Sequence, residues 1–177
     1  MSDVITGNGL GINGSSYDYL GGNTAGLGAF NDQVFVNGAN GNLVISQQDA
    51  FMEAQGLDDR FISTYNSQGQ LHGQSVWGGS YLEHLGASTG TVNTAGSVIP
   101  MVGADGHESI YKYDEARKLY VCEEDNGAYT TLSWDGANWT FNNGDSTVKK
   151  VFNISGHLTS VSDEDGNTIS YQYDANN

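Results

Sequence analysis

The chain of 177 residues has a single cysteine, a single proline and only 6 lysine and arginine residues. Because Cys122 stands alone, no intrachain disulfide can form, and no neighbouring histidine indicates a catalytic thiol. No apolar stretch approaches the roughly 20 residues of a membrane-spanning helix. The first residues carry neither the basic nor the apolar segment of a secretory signal peptide, so none is predicted.

The charge is strongly one-sided, with 21 acidic residues and a formal net charge of −15. Nucleic acids and anionic membrane surfaces are bound by clustered lysine and arginine, which this chain lacks. We therefore expect no nucleic-acid partner and no membrane insertion. The acids keep the protein soluble and supply carboxylates that calcium could bridge.

Glycine and tyrosine are abundant instead, with 25 and 10 copies, while residues that favour helices are sparse. Aromatic and β-branched residues favour strands, and the turn residues glycine, asparagine and aspartate recur about every ten positions. The sequence therefore predicts an all-β fold, an antiparallel meander of short strands and hairpins that forms a curved sheet or a sandwich.

Two parts are predicted along the chain. Residues 1–33 are rich in glycine and asparagine and indicate an irregular arm that docks partly on the remainder, residues 34–177, which form the β domain. Residues 91–94 are predicted to form a strand. For residues 47–55 strand and helix compete, and we favour extended chain to about Asp49 with one helical turn after it.

The C-terminal residues 156–174 predict a hairpin. Residues 158–163 show the two-residue period of a first strand and are followed by the turn Asp165-Gly166. A second strand then carries Tyr171 and Tyr173 on one face. The pattern is an Asp-Gly pair, four further residues and then Tyr-x-Tyr-Asp, and it occurs twice. The first copy lies sixty positions earlier in the sequence, at Asp105, Gly106, Tyr111, Tyr113 and Asp114. We expect Tyr111 and Tyr171 to occupy equivalent positions. We expect residues 168–173 to lie at or near a sheet edge, or to make an intermolecular contact.

This pattern, from Gly156 through Asp165-Gly166 to Tyr171, Tyr173 and Asp174, resembles a unit of the RHS/YD-repeat family. The resemblance implies a large bacterial secreted or surface protein whose repeats build a spiralling β-sheet shell. An earlier segment is similar to the one that leads into such a shell: Gly41-Asn42-Leu43-Val44-Ile45, Gly56-Leu57 and Thr64-Tyr65-Asn66-Ser67. Two departures are Ser63, where the family has arginine, and the order Trp77-Gly78.

Residues 163–167 superficially resemble the start of a calcium loop. An EF-hand requires glycine at its sixth position and a bidentate glutamate at its twelfth, and here glycine is fourth. The hairpin turn could still hold calcium through Asp163, Asp165 and Asn167; residues 123–125 are a weaker acidic cluster. No zinc-binding spacing and no catalytic motif occurs, so we expect no enzyme. No cofactor is certain, and calcium is the one cofactor left open.

Three tryptophans, Trp77, Trp134 and Trp139, could stack on sugar rings, although aromatic residues in strands more commonly form core and cross-strand pairs. The sequence thus favours a non-enzymatic structural β module whose partners are neighbouring domains of the same long extracellular or surface chain. The alternative is an adhesion module that recognises a glycan or a peptide, with calcium dependence left open.

Overall fold

The computed structural model describes residues 18–19, 33–36, 41–54, 56–69, 76–122, 129–144 and 147–174. Within these ranges the chain forms fourteen strands joined by turns, without a helix. The predicted all-β antiparallel fold is confirmed. No helix among the described residues has the length and hydrophobicity needed to cross a membrane.

The strands form two sheets, each an antiparallel meander in sequence order. The five-stranded sheet contains β1 (Asp18–Tyr19), β2 (Gln33–Val36), β3 (Leu43–Met52), β4 (Asp59–Asn66) and β5 (Trp77–Gly79). The nine-stranded sheet begins with β6 (His84–Leu85), β7 (Val98–Val102), β8 (Glu108–Asp114), β9 (Leu119–Cys122) and β10 (Thr130–Trp134). It continues with β11 (Trp139–Asn143), β12 (Lys149–Phe152), β13 (Leu158–Ser162) and β14 (Thr168–Ser170).

Two compact units can be distinguished. Unit 1 comprises Met1–Met52, Arg60–Glu83 and Val102–Glu108, and unit 2 comprises Glu53–Asp59, His84–Met101 and Ser109–Asn177. Of the predicted arm, β1 and Gln33 are described, and β1 pairs with β2. The rest of the arm lies outside the described residues, and the boundary at residue 33 stays a prediction.

In unit 1, β2 and β3 contribute a buried cross-strand pair, because Phe35 lies opposite Val44 and both side chains are buried. The buried Asn42 fixes the end of β4, since its Oδ1 accepts hydrogen bonds from Ser67 Oγ (2.9 Å) and from the backbone N–H of Gln68 (3.0 Å). The Gly-Asn-Leu segment is therefore a structural link between β3 and β4.

In unit 2, the nine-stranded sheet is strongly curled, in the manner of a half-barrel. The curl encloses an aromatic core in which Tyr120 and Phe152 are fully buried. The buried Tyr120 hydroxyl is satisfied by Ser97 Oγ at 2.9 Å and by the backbone N–H of Asn93 at 2.8 Å. Of the predicted alternatives for the fold, the curved sheet is confirmed.

Two local predictions are wrong. Residues 91–94 form a turn rather than a strand: Asn93 has a φ of 60° and the N–H of Thr94 bonds to the carbonyl of Thr91. The expected helical turn after Asp49 is also absent from the described residues, because β3 continues extended to Met52. Cross-strand pairing prevails there over the helix propensity of alanine, methionine and glutamate.

Among the strands that the structure describes, the predicted edge strand is confirmed. β14 pairs with β13 through Val161 opposite Ile169, and it is the last strand in the order of the nine-stranded sheet. The strand is shorter than the sequence predicts, ending at Ser170.

Candidate functional site

The repeat-like motif is built around one hairpin turn, which the described part of the chain contains three times. In residues 103–107, 153–157 and 163–167 the first N–H donates to the fifth carbonyl, and the fourth N–H donates to the first carbonyl. The fourth residue is always glycine, with a φ of 78°, 86° and 84° at Gly106, Gly156 and Gly166. This is the bonding of a three-residue loop closed by a glycine bulge, which needs a positive φ.

The sixty-residue offset in sequence is therefore matched by equal turn geometry at residues 103–107 and 163–167. The third turn, at residues 153–157, follows the same rule although it has no Asp-Gly pair. Asn153 takes the place of Asp163, and each side-chain Oδ1 accepts the N–H four residues later, at 3.0 and 2.9 Å.

Three hydrogen bonds join Asp163 and Asn167 across the C-terminal turn, two of them from backbone N–H groups. Besides these two bonds, Asn167 Nδ2 donates to Asp163 Oδ2 at 2.8 Å, and this side-chain bond is the main reason that the pKa of Asp163 lies below its usual value. Gly56 lies directly against the Asn167 side chain, because a Cβ at Gly56 would lie 2.4 Å from Asn167 Cγ. The Gly-Leu segment thus packs on the turn of the repeat.

Gly156 has a second function besides its turn. The N–H of Leu85 in β6 donates to the carbonyl of Gly156 at 2.9 Å, and His84 forms an antiparallel bridge with His157. A Cβ at Gly156 would lie 2.1 Å from the carbonyl oxygen of Leu85. The β6 end of the curled sheet therefore meets the turn between β12 and β13 at a point where only glycine fits.

The paired tyrosines follow equivalent turns but differ in burial. Tyr111 is 3% exposed, and its hydroxyl lies 2.8 Å from Thr130 Oγ1. Tyr171 packs against the same core but is only partly buried, since it follows the edge strand β14. Its N–H donates to the carbonyl of Thr159 at 2.9 Å, which continues the β13–β14 ladder.

The second tyrosine of each motif is partly buried. Tyr113 contacts the ring of Tyr120, with centroids 5.1 Å apart. Tyr173 lies against His157 and donates its hydroxyl proton to the carbonyl of Leu158 at 2.7 Å. Burial raises the pKa of Tyr173.

The aspartate that ends the first motif opens the next turn. Asp114 Oδ1 accepts the N–H groups of Ala116 (2.9 Å) and Arg117 (3.2 Å). Asp135 does the same for Asn138 and Ala137, and the backbone hydrogen bonds, that from Asn138 first, lower the pKa of Asp135. Asp174 is exposed, and the three residues after it lie outside the described ranges.

The predicted calcium ligands are brought together only in part. Asp163 and Asn167 are bonded to each other, while Asp165 lies exposed in the turn between them. Across the described ranges, no group of three or more histidine, cysteine, aspartate or glutamate residues is placed to hold a metal. The acidic cluster at residues 123–125 lies outside those ranges, and calcium binding stays a prediction.

The three tryptophans occupy different environments. Trp139 is 5% exposed and its ring packs edge-on against Tyr120, while Trp134 is partly buried 5.0 Å from Trp139. Trp77 in unit 1 is 60% exposed and contacts Tyr65. Sugar stacking stays a prediction, and Trp77 is the tryptophan with an accessible ring. The buried Cys122 lies in the core cluster.

Sequence reasoning missed two features. The first is the bond between β6 and Gly156, which joins residues far apart in sequence. The second is a pair of exposed rings, Phe61 stacked on Tyr81 at 4.6 Å. Alternation in β4 places Phe61 and Tyr65 on one face, and this signal was available in the sequence.

The comparison with known families agrees with the turn geometry. The model of the RHS repeat matches residues 155–177, which include Gly156, β13 and β14. No curated protein and no solved structure matches the chain. The C-terminal segment is thus similar to an RHS repeat, which supports the resemblance found in the sequence.

Proposed function

We propose that this chain is a non-enzymatic structural β module of a longer secreted or cell-surface bacterial protein, and that further strands of the same protein extend its nine-stranded sheet. RHS-repeat proteins are typically extracellular or associated with a surface. The observation that carries the proposal is the edge position of β14, within the segment that matches the repeat model.

The edge has a defined bonding pattern. In an antiparallel pair, residues that exchange hydrogen bonds alternate with residues whose N–H and C=O groups point away. The bonds from Asp163 to Asn167 and from Tyr171 to Thr159 set this alternation in β13–β14. The backbone groups of Thr168 and Ser170 consequently point outward, where another strand can pair with them.

The recurrence of the turn supports extension by modules. Each of the three turns uses backbone bonds and one glycine, so a further hairpin of the same kind can follow β14 with the same twist. A structural role also fits the use of the acids, because Asp114, Asp135 and Asp163 each accept backbone hydrogen bonds within their own turns.

The test is to append a second copy of residues 156–177 after Asn177 and to follow its resistance to proteolysis. The added repeat should pair with β14, resist cleavage and unfold together with unit 2. Replacement of the outward-pointing Ser170 by proline (Ser170→Pro) removes one donor for the added strand. In the extended chain it should release the repeat to the protease, whereas in the original chain it should change stability by only about 0.5 kcal/mol.

An appended repeat that is digested as quickly with Ser170 as with proline would show that β14 does not accept a further strand. The proposal of a structural module would then fail.

A second candidate function is an adhesion module that binds a glycan or a peptide. The observation that favours it is the group of exposed aromatic side chains on β4 and β5, led by Trp77. Calcium dependence belongs to this candidate and would act through the Asp163–Asn167 turn.

A further inference from the structure

Two pairs of aromatic rings lie side by side in unit 1, on the paired strands β4 and β5 and on the turn that follows β5. Tyr65 is opposite Trp77 in the register, and their ring centroids are 5.2 Å apart. Phe61 and Tyr81 stack at 4.6 Å with an interplanar angle of 17°. Phe61, Tyr81 and Trp77 are 40%, 37% and 60% exposed. These four residues define the aromatic face.

A polar gap separates the two pairs. Ser63 lies between Phe61 and Tyr65 on the same face, and the residue opposite it is Gly79, which has no side chain. The Ser63 hydroxyl donates to the exposed carboxylate of Asp49 in β3. The aromatic face therefore spans about 13 Å from Phe61 to Tyr65, at roughly 3.3 Å per residue, with hydrogen-bonding groups at its centre.

This arrangement selects among ligand classes. A protein partner that covered the rings would also have to bury Asp49, which is costly unless the charge is paired. A polyanion would be repelled by this carboxylate. Among the described residues of unit 1 the single lysine or arginine is Arg60, whose guanidinium lies over the ring of Phe51 at 5.4 Å. A neutral sugar chain offers apolar C–H faces to the rings and hydroxyl donors to the carboxylate.

We infer that the aromatic face is a binding site for a neutral oligosaccharide or polysaccharide, which deepens the adhesion candidate and rests on it. Trp77 and the Phe61–Tyr81 pair supply two stacking positions for different sugar residues of one chain. Asp49, held by Ser63, accepts hydroxyl hydrogen bonds between them. The site lies wholly in unit 1, outside the segment that matches the RHS repeat.

The test is affinity electrophoresis of the full chain in native gels that contain neutral soluble polysaccharides: hydroxyethylcellulose, xyloglucan, xylan or laminarin. At least one of them should retard the protein, and the polyanion alginate should not. Trp77→Ala should weaken binding by about tenfold or more, while Trp77→Phe, which keeps a ring, should retain most of it. Tyr129→Ala removes an aromatic residue of unit 2 that is 71% exposed, and as the matched control it should bind normally.

Tryptophan fluorescence gives a second measurement, because Trp77 is the exposed one of the three tryptophans. The retarding polysaccharide should shift its emission to the blue and reduce quenching by acrylamide. Retardation that Trp77→Ala leaves unchanged, an absence of retardation by all four polysaccharides, or dimerisation that Trp77→Ala abolishes would overturn the inference. None of these outcomes affects pairing at β14, so the structural proposal is tested separately.

Discussion

The replacement Gly156→Ala tests how the curled sheet of unit 2 is joined to itself. Alanine at a φ of 86° costs roughly 1–2 kcal/mol in any protein. Its Cβ would also lie 2.1 Å from the carbonyl oxygen of Leu85, so backbone must move. That movement weakens or breaks the 2.9 Å hydrogen bond from the N–H of Leu85 to the carbonyl of Gly156, which contributes about 0.5–1.5 kcal/mol to stability. Overpacking adds a further cost of about 1–3 kcal/mol. The three contributions sum to about 2.5–6.5 kcal/mol.

Two glycines of the same turn type provide matched controls. Gly166 has a φ of 84° and no atom within 4 Å of an added Cβ, and at Gly106, with a φ of 78°, the nearest atom is 3.5 Å away. Their replacement by alanine should cost only the backbone penalty of roughly 1–2 kcal/mol. Urea unfolding followed by circular dichroism measures all three. Equal losses at Gly156 and Gly166 would refute the close contact with Leu85.

Three further predictions concern the turn, the core and metal. Because folding lowers the pKa of Asp163, this carboxylate stabilises the protein above about pH 3.8, and the stabilisation is lost as the pH falls through the folded pKa. Asn167→Ala should therefore weaken the dependence of the urea unfolding midpoint on pH in this acidic range. Tyr111→Ala should cost about 3–5 kcal/mol and Tyr171→Ala clearly less, since only Tyr111 is fully buried, and similar losses in urea unfolding would contradict this assignment. EDTA should leave the melting temperature unchanged, whereas a calcium-specific rise that magnesium does not reproduce would establish the calcium site and favour adhesion.

The parts of the fold that local chemistry decides could be predicted from the sequence. The Asp-Gly turn at residues 163–167 and its copy sixty positions earlier form the same hairpin bonds, because glycine with positive φ and a side-chain acceptor act within five residues. The edge position of β14 also followed from the sequence.

Other features depend on contacts that no local pattern specifies. The short β6 has two residues, and its partner Gly156 lies far along the chain. No local pattern in the sequence distinguishes the burial of Trp77, Trp134 and Trp139, whereas in the folded protein Trp77 is the one of these three that is largely exposed. Residues 91–94 form a turn despite their strand propensity, because Asn93 adopts the left-handed backbone conformation and its N–H donates a hydrogen bond to the hydroxyl of Tyr120.

Hydrogen exchange at the amides of β14 tests the central claim, that this strand is an edge prepared for extension. In the chain as it stands, the amides of Thr168 and Ser170 should exchange rapidly, while that of Tyr171, which is bonded to Thr159, should be protected. After a second copy of residues 156–177 is appended, the Ser170 amide should become protected as well. A Ser170 amide that is slow before the extension, or still fast after it, would contradict the account.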